Sequence, residues 1–258
     1  MNIFKQFIKS IYSPKDIAKF RFQGIGKTIL YVFFIMLLSI IPGVIYITKL
    51  AYTVLDEGQQ IITHDIPSFS IHNGTLFSKE KKPLIIVKND LTVLFDSTGS
   101  IQENDVQKGG TVIALLKHTF IFKSDGKTQV MAYSTLENQN LNNSNIQSFL
   151  RSLQGVMWVG IPVLFIFYYL MTAAGGFIKI SIFALFGLLL AIRLEKKVNY
   201  RQSWRLTAYS ITLPSVFFTI MAALKTTVAG AIYIDWIITL IVMLLSIREI
   251  PSPKKTSV

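Results

Sequence analysis

An aspartate inside an oily stretch raises the first chemical question. Asp235 lies seven residues into AGAIYIDWIITLIVMLLSI, and an ionised carboxylate at the centre of a membrane helix costs several kcal/mol even on the gentler insertion scales. The usual remedies are a basic partner, a water-filled cavity or protonation. Two lysines are candidate partners: Lys225, in the Lys225-Thr226-Thr227 turn before this run, and Lys179, at the start of FIKISIFALFGLLLAI. On one reading Asp235 faces a helix bundle and pairs there, which makes it the leading functional position among the apolar segments. On the other, Trp236 marks an interface and Asp235 ends a helix among lipid headgroups.

The remaining chemical patterns are weaker. QGIGKT at residues 23–28 ends like a phosphate-binding loop, but the first glycine of G-x-x-x-x-G-K-[ST] is replaced by Arg21, no strand precedes it, and an apolar run follows. Lys27 therefore reads as a basic anchor at a membrane interface. His64, His72 and His118 are spaced by 8 and 46 residues, which fits no short metal motif, so no metal is expected. Ser78-Lys79-Glu80-Lys81 matches S-x-x-K without its companion elements and reads as a turn, as does Asn73-Gly74-Thr75. Neither a nucleophile elbow nor H-E-x-x-H occurs, and the absence of cysteine excludes disulfides and thiolate chemistry. No catalytic residue and no cofactor is expected.

The elements that must position Asp235 are membrane helices. Of 258 residues 51% are hydrophobic and 16% charged, with mean hydropathy +0.48, too apolar for an ordinary soluble domain. The net charge of +12 does not indicate nucleic acid, because the basic residues flank apolar runs. The bilayer is the first partner, and a membrane or envelope protein the second. The first apolar run is too long for a signal-peptide core, lacks an A-x-A site, and is expected to persist.

Along the chain, residues 1–27 form a cytoplasmic interfacial segment. Phe4, Phe7, Ile8 and Ile11 recur at helical spacing with Lys5 and Lys9 off the stripe; then Ser13 as N-cap, Pro14 at N1 and Asp16 at N3 restart a helix. Residues 28–54 form the first transmembrane helix. Residues 55–150, with eight Lys against ten Asp/Glu, form an extracytoplasmic β-rich domain of antiparallel strands. Its hairpins turn at Lys88-Asn89-Asp90 and Ser124-Asp125-Gly126, and its core includes Ile85, Val87, Val93, Phe95, Phe120, Phe122, Val130 and Tyr133. Ser144 to Gln147 reads as a capping box that opens the second span. Residues 151–247 hold about four helices, the second and third spans separated at Gly175-Gly176, and residues 248–258 are a polar tail. Gly155, Gly160, Gly175, Gly176 and Gly187 read as packing positions. The expected class is an α-helical polytopic membrane protein of about five transmembrane helices with an inserted small β-rich extracytoplasmic domain.

Five spans create a charge conflict. Residues 1–27 carry six Lys/Arg and one Asp, which places them in the cytoplasm. The linker RLEKKVNYRQSWR, with interfacial anchors Arg193, Lys196, Lys197, Arg201 and Arg205, would then face outward. Four crossings, with residues 152–194 crossing once overall, or an inverted protein would each remove the conflict, and both stay open.

FRFQGIGKTILYVFF near the start and YRQSWRLTAYSITLP later on resemble the hallmark stretches of an uncharacterised membrane-protein family of Gram-positive bacteria, domain of unknown function 1189. Some of its members are labelled maltodextrin utilization proteins. The resemblance runs over the whole chain, and a more distant similarity to Yip-type proteins implies five spans. It implies a bacterial plasma membrane and a role near transport, and it transfers no catalytic residue. The expected function is a non-enzymatic membrane protein whose external domain binds a partner or ligand while its helices scaffold or relay. The alternative is a small transporter, or an accessory subunit of one, using Asp235.

Overall fold

The computed structural model describes residues 2–89, 91–106, 110–124, 126–136 and 140–252, and among them it has seven α-helices and eight strands. Two short helices come first, α1 (Ile3–Tyr12) and α2 (Pro14–Phe20), followed by α3 (Ile25–Gln60) and a π-helical turn over Ile61–Asp65. Strands β1 (Phe69–His72), β2 (Thr75–Ser78), β3 (Leu84–Lys88), β4 (Leu91–Phe95), β5 (Thr111–Leu115), β6 (Thr119–Ser124), β7 (Lys127–Ala132) and β8 (Leu141–Asn142) follow. The chain then returns to helix as α4 (Asn143–Arg193), α5 (Tyr200–Ser210), α6 (Thr212–Ala223) and α7 (Ala231–Arg248). It divides into one unit of residues 1–46 and 163–258, and another of residues 47–162. Both cuts fall within helices, α3 and α4.

Among the described residues, four helical stretches are long and apolar enough to cross a membrane: Ile25–Asp65, Asn143–Arg193, Tyr200–Ala223 and Ala231–Arg248. This corrects the expected five. Gly175-Gly176 does not divide a second span from a third, because α4 runs through it as one helix of 51 residues. Each glycine costs only about 1 kcal/mol against alanine in a helix; breaking the helix in an apolar medium would strand several backbone groups without partners. Gly176 serves packing instead: a Cβ there would come within 2.7 Å of the Met36 side chain on α3. At Gly187 an added Cβ would overlap Ser203 Oγ and approach Met243 Sδ to 3.0 Å, so α4, α5 and α7 meet there at the closeness only glycine permits. Gly155 and Gly175, also expected as packing positions, face open space and carry no such constraint, because no neighbouring helix comes within 4 Å of the Cβ position there.

The N-terminal signals act as read. Ser13 Oγ accepts from the Asp16 N–H at 3.2 Å, with Pro14 in the first turn of α2. Asp16 also pairs with Lys9 of α1 at 3.0 Å. The Lys9 ammonium, chiefly by hydrogen bonding, holds the Asp16 carboxyl below its ordinary value of 3.8 despite partial burial.

Residues 47–162 carry two small sheets, β2-β1-β8 and β3-β4-β5-β6-β7. The hairpin between β3 and β4 closes with Lys88 opposite Leu91, and Asn89 takes φ +46°. That between β6 and β7 closes with Ser124 opposite Lys127, and Gly126 takes φ +74°. Asp90 and Asp125 lie outside the described residues, as do residues 253–258 of the expected polar tail. Asn73 and Gly74, both at positive φ, turn β1 into β2. Strands β4 and β5 pair in parallel, where antiparallel order was expected. The connection between them spans 15 residues, enough for a crossover.

Burial corrects part of the expected core. Val93, Phe95 and Tyr133 are buried, Phe120 and Phe122 are half-buried, and Ile85, Val87 and Val130 are exposed. Leu84 and Ile86 pack inward from β3 in their place. The inner face joins Phe69, Ile71, Leu76, Leu91 and Phe95 with the π-helical turn; the outer face buries Leu94, Val112, Ala114 and Ile121 beneath Val106. The cap that opens α4 is Asn142, reciprocally bonded with Asn145 at 3.0 and 3.1 Å, two residues before the expected Ser144.

Candidate functional site

Asp235 is positioned by α7, four residues in from its start, and its carboxylate receives the Lys179 ammonium of α4 at 2.5 Å. The two side chains are 23% and 20% exposed, so the pair is mostly withdrawn from the surface. The Lys179 Nζ stands 5.8 Å from the centroid of the Phe183 ring, which meets Trp236 edge-on at 5.9 Å. Aromatic rings thus wall the pair on one side. Thr239 caps the Asp235 carbonyl from one turn further on, at 2.7 Å. Lys225 does not share this site. Its ammonium lies 5.3 Å over the Tyr46 ring, and its φ of +53° forms part of the turn between α6 and α7.

A second constellation went unread in the sequence. Gln6, Ser10, Thr28, Tyr31, Ser203, Thr207, Tyr209, Ser210 and Thr212 are all at most 1% exposed. The Tyr31 and Thr212 hydroxyls share a hydrogen bond of 2.6 Å, Tyr209 donates to Gln6 Oε1 at 3.2 Å, and the Tyr31 and Tyr209 rings lie 4.4 Å apart. Ser203 Oγ donates to the Ala184 carbonyl at 2.6 Å and Trp204 Nε1 to Ser181 Oγ at 3.2 Å, tying α5 to α4. Thr207 and Ser210 return their hydroxyls to carbonyls four residues back, the usual solution for a hydroxyl without water. The available signal was spacing: Gln6 and Ser10 differ by four, and Ser203, Thr207 and Ser210 fall at i, i+4 and i+7, so each set marks one polar helix face.

The basic anchors separate into two groups. Lys27, Arg193, Lys197 and Arg201 are exposed, while Lys196 donates to Ser252 at 3.0 Å. Arg205 turns inward, its guanidinium donating to the Arg21 carbonyl at 2.9 Å, so it joins α5 to the end of α2 and is not an outward-facing anchor. Helix α2 packs on both α5 and α7. Residues Tyr12 to Lys15 line one recess with Leu245, Arg248 and Glu249. The first residues, the 194–199 connection and the end of α7 therefore gather at the same end of their unit.

In the β-rich unit, Lys88 pairs with Asp65 at 2.5 Å and Asn89 donates to Glu57 at 2.7 Å. Asp96 is buried at the end of β4 and accepts from the Thr98 hydroxyl at 2.6 Å and from the N–H groups of Thr98, Gly99 and Ile101. Burial alone raises its pKa, but these hydrogen bonds outweigh burial and hold it below 3.8. The three histidines are dispersed: His64 bonds Gln60, His72 stacks on Phe77 at 4.3 Å, and His118 bonds the Gly74 carbonyl. Among the described residues no cluster of three metal-ligating side chains occurs. Edge strand β3 exposes Ile85 by 66% and Val87 by 67%, two large apolar side chains on one face.

Comparison with known proteins adds one positive result. A family model described as "Protein of unknown function (DUF1189)" matches residues 4–247. No curated protein and no solved structure matches the chain.

Proposed function

We propose that this chain, which belongs to the DUF1189 family of proteins of unknown function, is a non-enzymatic, multi-pass protein of the bacterial plasma membrane whose β-rich unit binds a partner protein outside the cytoplasm. Its helical unit serves as scaffold or relay. The observation that carries the binding role is the apolar pair Ile85 and Val87, standing 66% and 67% exposed on an edge strand whose sheet already has a closed core. An open strand edge flanked by apolar side chains is a natural docking surface for another chain. The four-crossing orientation follows from charge: the end of the helical unit that gathers residues 1–27, the 194–199 connection and Arg248 carries the basic residues, and such ends stay in the cytoplasm. The first crossing by α3 then delivers the strands outside. A photoreactive side chain at Val87 should crosslink to one envelope or membrane protein in intact cells, and the same group at exposed Thr128 should not. Equal, diffuse crosslinking from both positions would remove the binding role.

A second reading, a small transporter or accessory subunit, rests on the Lys179–Asp235 pair. Charges held inside a bundle are frequent parts of ion and substrate pathways. The carbohydrate setting suggested by the maltodextrin label belongs to either reading. Asp235→Asn separates them: loss of an uptake phenotype with partner crosslinking intact favours transport.

A further inference from the structure

Helices α4 and α7 leave between them an open groove of about 300 Å³, close to the end where α4 terminates. Phe186, Leu189 and Arg193 reach it from α4 at i, i+3 and i+7, and Ile241 and Leu244 from α7. The lining is apolar along its length except for Arg193, in the last turn of α4. Among the described residues the Arg193 guanidinium makes no hydrogen bond or ion pair; Lys197 and Arg201 follow it, exposed, within eight residues, with Glu195 the one acid in that stretch. Leu189 and Ile192 stand exposed beside the groove.

We propose that this groove is a binding site for one anionic phospholipid of the adjoining leaflet. An acyl chain lies along Phe186, Leu189, Ile241 and Leu244, and the phosphate meets Arg193. The occupant follows from charge and shape together. An apolar channel that ends in an unpaired cation matches a molecule with an apolar tail and an anionic head, and a guanidinium presents paired donors to phosphate oxygens. A zwitterionic lipid would fill the channel equally well but bring its own cation to Arg193. A basic residue near a membrane surface favours anionic lipid by about fivefold each. The competing role for Arg193 is to complement the carbonyl end of the α4 dipole, which requires no lipid.

The inference rests on the helical unit being embedded in a bilayer, and that premise is checked first, by recovery of the full-length chain in the membrane fraction after carbonate extraction. Native mass spectrometry of the full chain in detergent, titrated with phosphatidylglycerol or phosphatidylcholine, then tests the site. Phosphatidylglycerol is expected to bind about fivefold more tightly. Arg193→Gln should abolish that preference while Lys197→Gln keeps most of it. Leu189→Trp, which fills the channel, should weaken both lipids without changing the preference. Inorganic phosphate should not compete. Equal affinities in the unaltered chain, an undiminished preference in Arg193→Gln, or competition by inorganic phosphate would each overturn the site. Failure of carbonate extraction to retain the chain would instead overturn the membrane reading.

Discussion

The helical unit and the β-rich unit solve burial in opposite ways. Among the described residues of 47–162 the buried ones include Phe69, Ile71, Leu91, Phe95 and Ile121, with Asp96 caged by four hydrogen bonds and Thr111 as the buried polar exceptions. In the helical unit Gln6, Thr28, Ser203, Thr207, Ser210, Thr212, Thr239 and Ser246 are fully buried, whereas Ile178, Leu189, Ile192 and Tyr233 stand exposed, Ile192 by 72%. In water, large exposed apolar surfaces of this kind drive association. On the proposed membrane reading, hydrocarbon around the helices would account for it: apolar side chains would face outward at no cost, and helix contacts would form through small residues and hydroxyls. Under the proposed membrane reading, one chain answers to two solvents.

Several measurements can break or sharpen that contrast. The largest effect belongs to the aqueous core. Phe95→Ala, which removes a fully buried ring, should destabilise the β-rich unit by about 3–5 kcal/mol in thermal unfolding of the purified chain followed by limited proteolysis. Phe122→Ala should cost clearly less, because that ring is half-buried. Equal losses would mean that β6 presents its other face to the core.

Next comes the Lys179–Asp235 pair. Lys179→Met or Asp235→Leu alone leaves a charge withdrawn from water and should lower the stability of the helical unit by about 3 kcal/mol, whereas the double change Lys179→Met with Asp235→Leu should recover most of it. A double-mutant cycle in detergent reads the coupling, and additive losses would show that the two groups do not interact. Third, Gly187→Ala should cost about 1–3 kcal/mol through collision with Ser203 and Met243. Gly175→Ala, facing open space, should be neutral or gain up to about 1 kcal/mol of helix propensity. If both behave alike, the close approach at Gly187 is wrong.

The smallest effect is a pH dependence of the β-rich unit. The Asp96 carboxyl has a depressed pKa in the folded chain, so the unfolded state binds its proton first. Its stabilisation is complete above the unfolded value, about 3.9, and is lost as pH falls through the folded value. The unfolding midpoint of the β-rich unit should therefore decline on acidification below about pH 4, and Asp96→Asn should flatten that decline.

What was legible in the sequence depended on how local each signal is. Local signals survived because they are settled within a few residues: Ser13 caps α2, and Asn73-Gly74, Asn89 and Gly126 turn hairpins. Asp235 stood out because a charge in an apolar run is conspicuous, but only tertiary packing chose Lys179 over Lys225. The register of β3 was hidden because Leu84 to Val87 are apolar at every position, so a period of two has no phase. Continuity of α4 was hidden because the glycine pair reads as a break unless Met36 is known to occupy the space beside Gly176. Of the buried hydroxyls of α5, Ser203 was read inside the polar linker, since a helix polar on its inner face inverts the ordinary amphipathic rule.

The most direct test of the four-crossing account uses the absence of cysteine from the sequence. Single replacements Lys5→Cys, Lys82→Cys and Lys197→Cys, all at exposed positions, can each be probed with a membrane-impermeant maleimide in intact cells and again after permeabilisation. The account predicts labelling of Lys82→Cys in intact cells, and of Lys5→Cys and Lys197→Cys only after permeabilisation. Labelling of Lys82→Cys and Lys197→Cys together in intact cells would contradict it, as would labelling of Lys5→Cys with Lys82→Cys protected.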